Sequence, residues 1–206
     1  MDDRAGVRDT YDQIAAHFSK TREYPWPEVT SFCAGRVART ALDIGCGNGR
    51  HAELLAEHAD RVLGLDASRE LLGIARDRVE DGDFIAGDAA SLPVDEDAIG
   101  LAVYVATLHH LPTRQLRRQS LDELARVLGP DGSGLVSAWS TAHDRFDAKA
   151  GFDTEIEWTL PGGEAIPRYY HIYAPAEFDA DLSASELAIV DSFVSSGNCY
   201  AIVETA

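Results

Sequence analysis

Seven residues, Asp43-Ile44-Gly45-Cys46-Gly47-Asn48-Gly49, constrain this chain more than any other feature. They follow an apolar run, Thr40 to Ile44, and open a helical one, Arg50 to His58. Glycines in such a turn permit backbone angles closed to other residues and let a ligand approach the main chain closely. The spacing is G-x-G-x-G, and Arg50 stands where a dinucleotide fingerprint would carry its third glycine. No G-x-x-x-x-G-K-[ST] run exists, which excludes a P-loop.

Short β-rich runs alternate with helical runs along the rest of the chain, the pattern of a parallel α/β sheet. A leading helix is predicted over residues 7–18, followed by a stiff turn at Tyr24-Pro25-Trp26-Pro27. Further strands are predicted over Arg61 to Leu65, Asp83 to Ala86, Ile99 to Val105 and Gly134 to Trp139. Ser68 is placed to N-cap a helix running to Glu80, and Thr113 one that ends near Leu128 at Gly129-Pro130. Residues 140–167 are polar and longer than a simple connector, so they are expected to form an irregular lid or substrate loop. A strand over Arg168 to Tyr173, a helix over Pro175 to Leu182 and a hairpin close the chain. The hairpin joins Leu187 to Val194 with Cys199 to Glu204 through Ser195-Ser196-Gly197-Asn198. No linker is evident, so residues 1–206 are expected to form one domain, with 1–39 as an N-terminal helix and substrate or cofactor segment.

Three acidic residues fall at successive strand ends. Asp43 sits in the glycine turn; Asp66 ends the second strand, where a carboxylate accepts hydrogen bonds from ribose hydroxyls; Asp88 follows the third, where an adenine amino group can be read. Singly, each has a plain reading as a tight turn, a helix cap or an acidic surface residue. Together they describe a nucleoside pocket.

Composition bears on the partner. Thirty-five acidic against 18 basic residues give a formal net charge of -17, and only Lys20 and Lys149 of the basic residues are lysines. That balance repels nucleic acid in ordinary salt and suits a proteome adapted to very high salt, where screening shrinks to about 3 Å at 1 M. The 3 cysteines, Cys33, Cys46 and Cys199, form neither a disulfide framework nor a zinc pattern, and no metal site is expected. The charged start Met1-Asp2-Asp3-Arg4 is unlike a signal peptide and no apolar run is long enough to span a membrane, so a cytoplasmic protein is expected.

The chain resembles the class I S-adenosylmethionine-dependent methyltransferases from about residue 7 to residue 203. Three stretches resemble one group within them, the tRNA wobble-uridine carboxymethyl methyltransferases. These are Tyr11 to Arg22 (YDQIAAHFSKTR) with Pro25-Trp26-Pro27, then Leu108-His109-His110-Leu111, then Arg168-Tyr169-Tyr170-His171-Ile172-Tyr173. The resemblance implies a Rossmann-like, doubly wound, mostly parallel seven-stranded sheet with an antiparallel C-terminal hairpin. It implies methyl transfer from S-adenosylmethionine to the carboxylate of 5-carboxymethyluridine in tRNA. It also implies a small zinc-binding activator protein as partner in a heterodimer, expected to dock near the edge strand Asp83 to Ala86. Cofactor contacts are then expected from Tyr11, His17, Asp43, Gly45, Gly47, Asn48, Asp66, Ala67, Asp88, Ala89 and Val105.

A methyl sulfonium is already a strong electrophile, so such a protein mainly places a nucleophile in line, about 3–3.5 Å from the methyl. A carboxylate is ionised at neutral pH and needs no general base. It needs a cation that orients it, and Arg22 and Arg168 are the candidates because guanidinium grips carboxylate in a fixed fork. His109 or His110 is expected to line the pocket at the sheet's carboxyl edge, with His110 the catalytic candidate; the alternative is turn packing. His171 is a further candidate for a substrate contact. His51, His58 and His143 are expected to be solvated. Tyr11, Tyr24 and Trp26 can flank a sulfonium or a flipped base, although Trp26 serves equally to pack the leading helix. At least one of Tyr169, Tyr170 and Tyr173 belongs to the core. Arg114, Arg117 and Arg118 share a helix face with Arg126 nearby, readable as a phosphate patch or as a salt-bridged surface pairing with Asp122. A small-molecule methyltransferase and a non-catalytic cofactor-binding module remain the competing readings.

Overall fold

The computed structural model describes residues 4–206, with side chains from residue 6; Met1 to Asp3 lie outside the described residues. In chain order the elements are α1 (Arg4–Lys20), α2 (Pro27–Cys33), β1 (Ala38–Ile44), α3 (Arg50–Leu55), β2 (Ala59–Asp66), α4 (Arg69–Arg78), β3 (Asp83–Ala86) and β4 (Ile99–Val105). After a single 3-10 turn at Leu108–His110 come α5 (Arg114–Val127), β5 (Leu128–Trp139), β6 (Phe152–Thr159), β7 (Ala165–Ile172), α6 (Pro175–Leu182), β8 (Leu187–Ser195) and β9 (Asn198–Thr205). Seven strands form one sheet in the order β3-β2-β1-β4-β5-β9-β8. The first five are parallel; β9 runs antiparallel to both β5 and β8. This is the class I methyltransferase architecture expected from the sequence, with β3 at one edge.

Each face of the sheet buries its own core. Leu42, Tyr104 and Val136 pack under Leu121 and Leu124 of α5 and Phe178 of α6. On the other face Ala41, Val103 and Leu135 pack under Phe32, Leu55 and Leu72 of α2, α3 and α4. Burying a leucine of this kind contributes roughly 2 kcal/mol. The helix starts follow from their caps. Ser68 Oγ accepts from Leu71 N and Thr113 Oγ1 from Leu116 N, each at 3.2 Å.

Helix α1 joins neither of these cores. It lies across the carboxyl edge of the sheet, fastened on both sides. Asp12 accepts from Ser68 Oγ at 2.6 Å and from Glu70 N at 3.3 Å, which ties it to the start of α4. Its other side meets β7 and the tip of β6, where Trp158 Nε1 donates to His17 Nδ1 at 3.0 Å.

Several expectations are corrected. Residues 140–167 are not irregular throughout. β6 and β7 form an antiparallel hairpin in which Ile156 opposes Arg168 and Thr154 opposes Tyr170. A turn closed by Gly163 N on Leu160 O connects them. The alternation of acidic and apolar side chains in Asp153 to Trp158 gives β6 one buried and one exposed face. α2 was not anticipated; Pro27 supplies the pre-set φ of its first turn. β5 begins at Leu128 rather than Gly134, and α3 stops at Leu55 rather than His58.

The arginines of α5 do not form a free patch. Arg114 Nε and Arg118 Nε both donate to Asp181 Oδ1, at 2.7 and 2.8 Å, and Asp181 is fully buried. Arg117 is buried, donates to Leu111 O and lies 5.4 Å over the Tyr173 ring. The salt-bridged reading stands, with Asp181 as the partner in place of Asp122; Arg126 pairs with Glu123. Among the described residues no helix is long and apolar enough to cross a membrane.

Candidate functional site: a cleft under the N-terminal helix

The strand ends of β1, β2, β3 and β4 open into one cleft of about 510 Å³. That size lies within the range of small-ligand sites. Its floor is the glycine turn. Gly45 has φ +72°, and a Cβ there would fall 2.0 Å from Thr107 Oγ1, so the turn packs against the end of β4 only with glycine. Gly45→Ala is expected to destabilise the fold by about 2–4 kcal/mol, left-handed strain and overpacking combined, read from urea midpoints. Gly47 faces the open side; the nearest atom to a Cβ there is the Phe18 ring, at 3.9 Å.

Asp66 organises this turn. Its Oδ2 accepts from Gly47 N and its Oδ1 from Ser68 N, both at 2.8 Å. Burial pushes this carboxyl up from its ordinary value, and the two backbone N–H groups pull it back. Across the cleft Asp88 Oδ1 accepts from Ala90 N at 2.9 Å. Tyr11, Gly45, Gly47, Asn48, Asp66, Ala67, Asp88, Ala89, Val105 and His110, all expected at the site, line this one space.

Four expected site residues do not line it. Asp43 is buried at 1 % exposure, and burial, with Asp66 nearby, lifts its carboxyl to about 7. His17 is held by Trp158. Arg22 lies 5.2 Å over the Phe18 ring and 5.8 Å over Trp158. Arg168 stands behind Tyr11 and His110, as described next.

His110, Tyr11 and Arg168 form a chain of contacts at the β4 side. His110 Nδ1 lies 2.9 Å from Tyr169 O, which assigns the proton to Nδ1 and leaves Nε2 to accept from Tyr11 OH at 2.9 Å. Burial holds the imidazole neutral, its pKa pushed down to about 4. Arg168 Nη1 donates to the Tyr11 hydroxyl at 3.3 Å. The Arg168 guanidinium lies 4.9 Å over Trp158, 5.2 Å over Tyr170 and 6.0 Å over Tyr11. At 9 % exposure it makes no ion pair among the described residues, and its Nε has no partner.

The other histidines and aromatics distribute differently from expectation. His109 is buried beneath His110, accepting from Trp139 N. His51 is not solvated: it is 5 % exposed, lines the cleft, and burial lowers its pKa to about 3. The signal for this was its place beside Ala52 on the inward face of α3. His58 is half-buried against Arg36 O, and His143 packs on Trp139. His171 bridges Asp153 at 2.7 Å and Glu177 at 3.3 Å, away from the cleft. Tyr170 and Tyr173 are core; Tyr24 is exposed; Trp26 packs on His51 and below Arg50. Trp158, absent from the sequence expectations, sits between α1 and Arg168; its place in the acidic–apolar alternation of β6 marked it as inward-facing.

Three histidines held neutral give the fold an acid limit. The His51, His109 and His110 values in the folded chain lie below the ordinary 6.5. Their stabilisation is complete above about pH 6.5 and is lost as the pH falls towards 4 and 3, each contributing up to about 1.4 kcal/mol per pH unit. Asp43, held up at about 7, acts in the opposite sense between about pH 4 and 7, and Asp66, also raised by burial, acts in the same direction as Asp43. His51, His109 and His110 all act with one sign, so urea midpoints should fall as the pH drops from 6.5 to 4; midpoints that stay level would refute this.

A profile of the methyltransferase domain family matches residues 42–136, the segment that builds the cleft floor. These residues thus resemble a methyltransferase domain, and the chain as a whole has the class I methyltransferase fold. Among curated relatives, a mouse protein named tRNA (carboxymethyluridine(34)-5-O)-methyltransferase ALKBH8 is 32 % identical over 145 residues, 70 % of this chain and 21 % of its own length. The Arabidopsis thaliana protein of the same activity name is 35 % identical over 139 residues, 67 % of this chain and 33 % of its own length. The chain thus spans a third or less of these two relatives. Among solved structures, the complex of the Haloferax volcanii Trm112 methyltransferase activator with a putative methyltransferase superposes with TM-score 0.72 at 17 % identity, covering 97 % of each chain.

The cleft fits an adenosyl cofactor. Asp66 lines the open space, and Gly47 leaves the main chain bare. His51 Nε2, buried in the cleft wall, lacks any partner among the described residues and is available to a ligand.

Proposed function

We propose that this chain transfers a methyl group from S-adenosylmethionine to the carboxylate of 5-carboxymethyluridine at the tRNA wobble position. We propose further that it works with a small zinc-binding activator protein in a high-salt cytoplasm. The observation that carries the acceptor class is Arg168. A buried guanidinium walled by three aromatic rings, with no carboxylate partner among the described residues, is a site prepared for an anion brought by the substrate. Curated relatives named for this activity support the same reading.

When bound, S-adenosylmethionine supplies an electrophilic methyl group. Asp66 and the turn from Gly45 to Asn48 would hold the adenosyl part, and Asp88 and Ala89 would serve its base. From outside the cofactor cleft, Arg168 behind Tyr11 and Arg22 over Phe18 would orient the acceptor carboxylate. His110 is neutral, its Nδ1–H fixed on Tyr169 O and its Nε2 filled by Tyr11, so it positions Tyr11 and does not act as a base. A carboxylate nucleophile releases no proton, which fits a site whose histidines are all occupied or buried.

The Haloferax complex supports an activator, and the unpaired β3 edge is the surface proposed for it. The acid excess supports the high-salt setting. The test is transfer of labelled methyl from S-adenosylmethionine to bulk tRNA in high salt, with and without the activator, followed by digestion to nucleosides. Label in the methyl ester of carboxymethyluridine is the expected result; label only in small metabolites would overturn it in favour of a small-molecule acceptor.

A further inference from the structure

A net charge of -17 raises the question of where so acidic a chain meets a polyanion. One part of the rim answers it. Past α1, three successive carbonyls of an irregular segment are each gripped by a side chain from the cofactor half. Asn48 Nδ2 donates to Arg22 O at 2.8 Å, Arg78 Nη2 to Glu23 O at 3.0 Å, and Arg50 Nη1 to Tyr24 O at 3.5 Å. These grips draw Arg22, Arg50 and Arg78 together closely enough that, after burial, the charges of Arg22 and then Arg78 help to push the Arg50 pKa down to about 10. Arg22 and Arg50 make no ion pair among the described residues; Arg78 meets Glu53 at 3.4 Å. The neighbouring Glu28 is engaged by Ser195 Oγ at 2.6 Å.

Aromatic rings stand between these cations. Arg50 lies 5.0 Å over Trp26, and Tyr24 is 73 % exposed, although the carbonyl of the same residue is held. The patch is continuous with the cleft through Arg50 and through Arg22 over Phe18, both Arg50 and Phe18 being cleft-lining residues. Guanidinium groups beside an exposed ring are the elements of a single-strand nucleic-acid track, the cations serving phosphates and the ring a base.

We propose that the rim formed by Arg22, Tyr24, Trp26, Arg50 and Arg78 is the track on which a single-stranded RNA loop lies beside the cleft, with a base next to the target stacked on Tyr24. This rests on the tRNA acceptor proposed above. Its test is direct binding of a fluorescein-labelled anticodon stem-loop with unmodified uridine at the wobble position, followed by anisotropy of the full chain over a series of salt concentrations. Tyr24→Ala should weaken binding by at least about five-fold, and Tyr24→Phe should bind as the parent does. Arg78→Gln should reduce the slope of log affinity on log salt by about 0.7–0.9. The exposure of Tyr24 leaves folding intact in its variants, which circular dichroism checks. Parental affinity in Tyr24→Ala at every salt concentration, or no binding by the parent chain at low salt, would overturn the track. A chain that binds the loop with this pattern but transfers no methyl to carboxymethyluridine supports the track and sinks the proposed reaction.

Discussion

Replacement of Asp66 by alanine is expected to weaken S-adenosylmethionine binding by about 100-fold, nearly 3 kcal/mol, measured as Kd by titration calorimetry. The size follows from how much depends on one carboxylate. Its two oxygens hold Gly47 N and Ser68 N at 2.8 Å each, so the variant loses the acceptor for the ligand and the anchor of the glycine turn together. Hydrogen bonds to a charged group are worth about 1.5–3 kcal/mol, and two orphaned backbone donors add to the loss. Asp66→Asn keeps one acceptor oxygen and should fall between. A Kd within about three-fold of the parent in Asp66→Ala would show that the cleft does not use this residue.

Arg168→Met is expected to lower kcat/KM for a carboxylate acceptor by about 100- to 1000-fold, the cost of removing a buried cation from its anion. The melting temperature should hold or rise. Methionine fills the space between Trp158 and Tyr170, and a charge buried without a carboxylate is no longer taken out of water. Arg168→Lys keeps the charge but loses the planar fork, so part of the activity should remain. The pairing of outcomes is what discriminates: activity and melting temperature falling together would mark Arg168 as a prop for the hairpin instead of an acceptor site.

The elements that the sequence made legible are those whose signals are local. β3, β4 and α6 begin and end where the apolar runs and caps place them. Ser68 and Thr113 announce their helices because a short oxygen-bearing side chain before an apolar period has a specific N–H to satisfy. The glycine turn, Asp66 and Asp88 were legible for the same reason, since each stands at the end of a strand. The hairpin of β6 and β7 was hidden by its polarity. Asp153, Glu155 and Glu157 make the segment read as a loop, although their alternation with Ile156 and Trp158 is the period of a strand with one wet face. Side-chain partnerships across distant elements carried no local signal at all. That Arg114 and Arg118 would share Asp181, 67 and 63 residues on, or that Trp158 would fall between His17 and Arg168, depends on how the helices and the hairpin pack.

Helix α1 is stapled to α4 by Asp12 and to the β6–β7 hairpin by His17 and Tyr11. Spent donor beneath it and acceptor beside it therefore share a single gate. On the proposed transfer, reloading between cycles would require both staples to open, and one helix swinging clear is then expected to set the turnover.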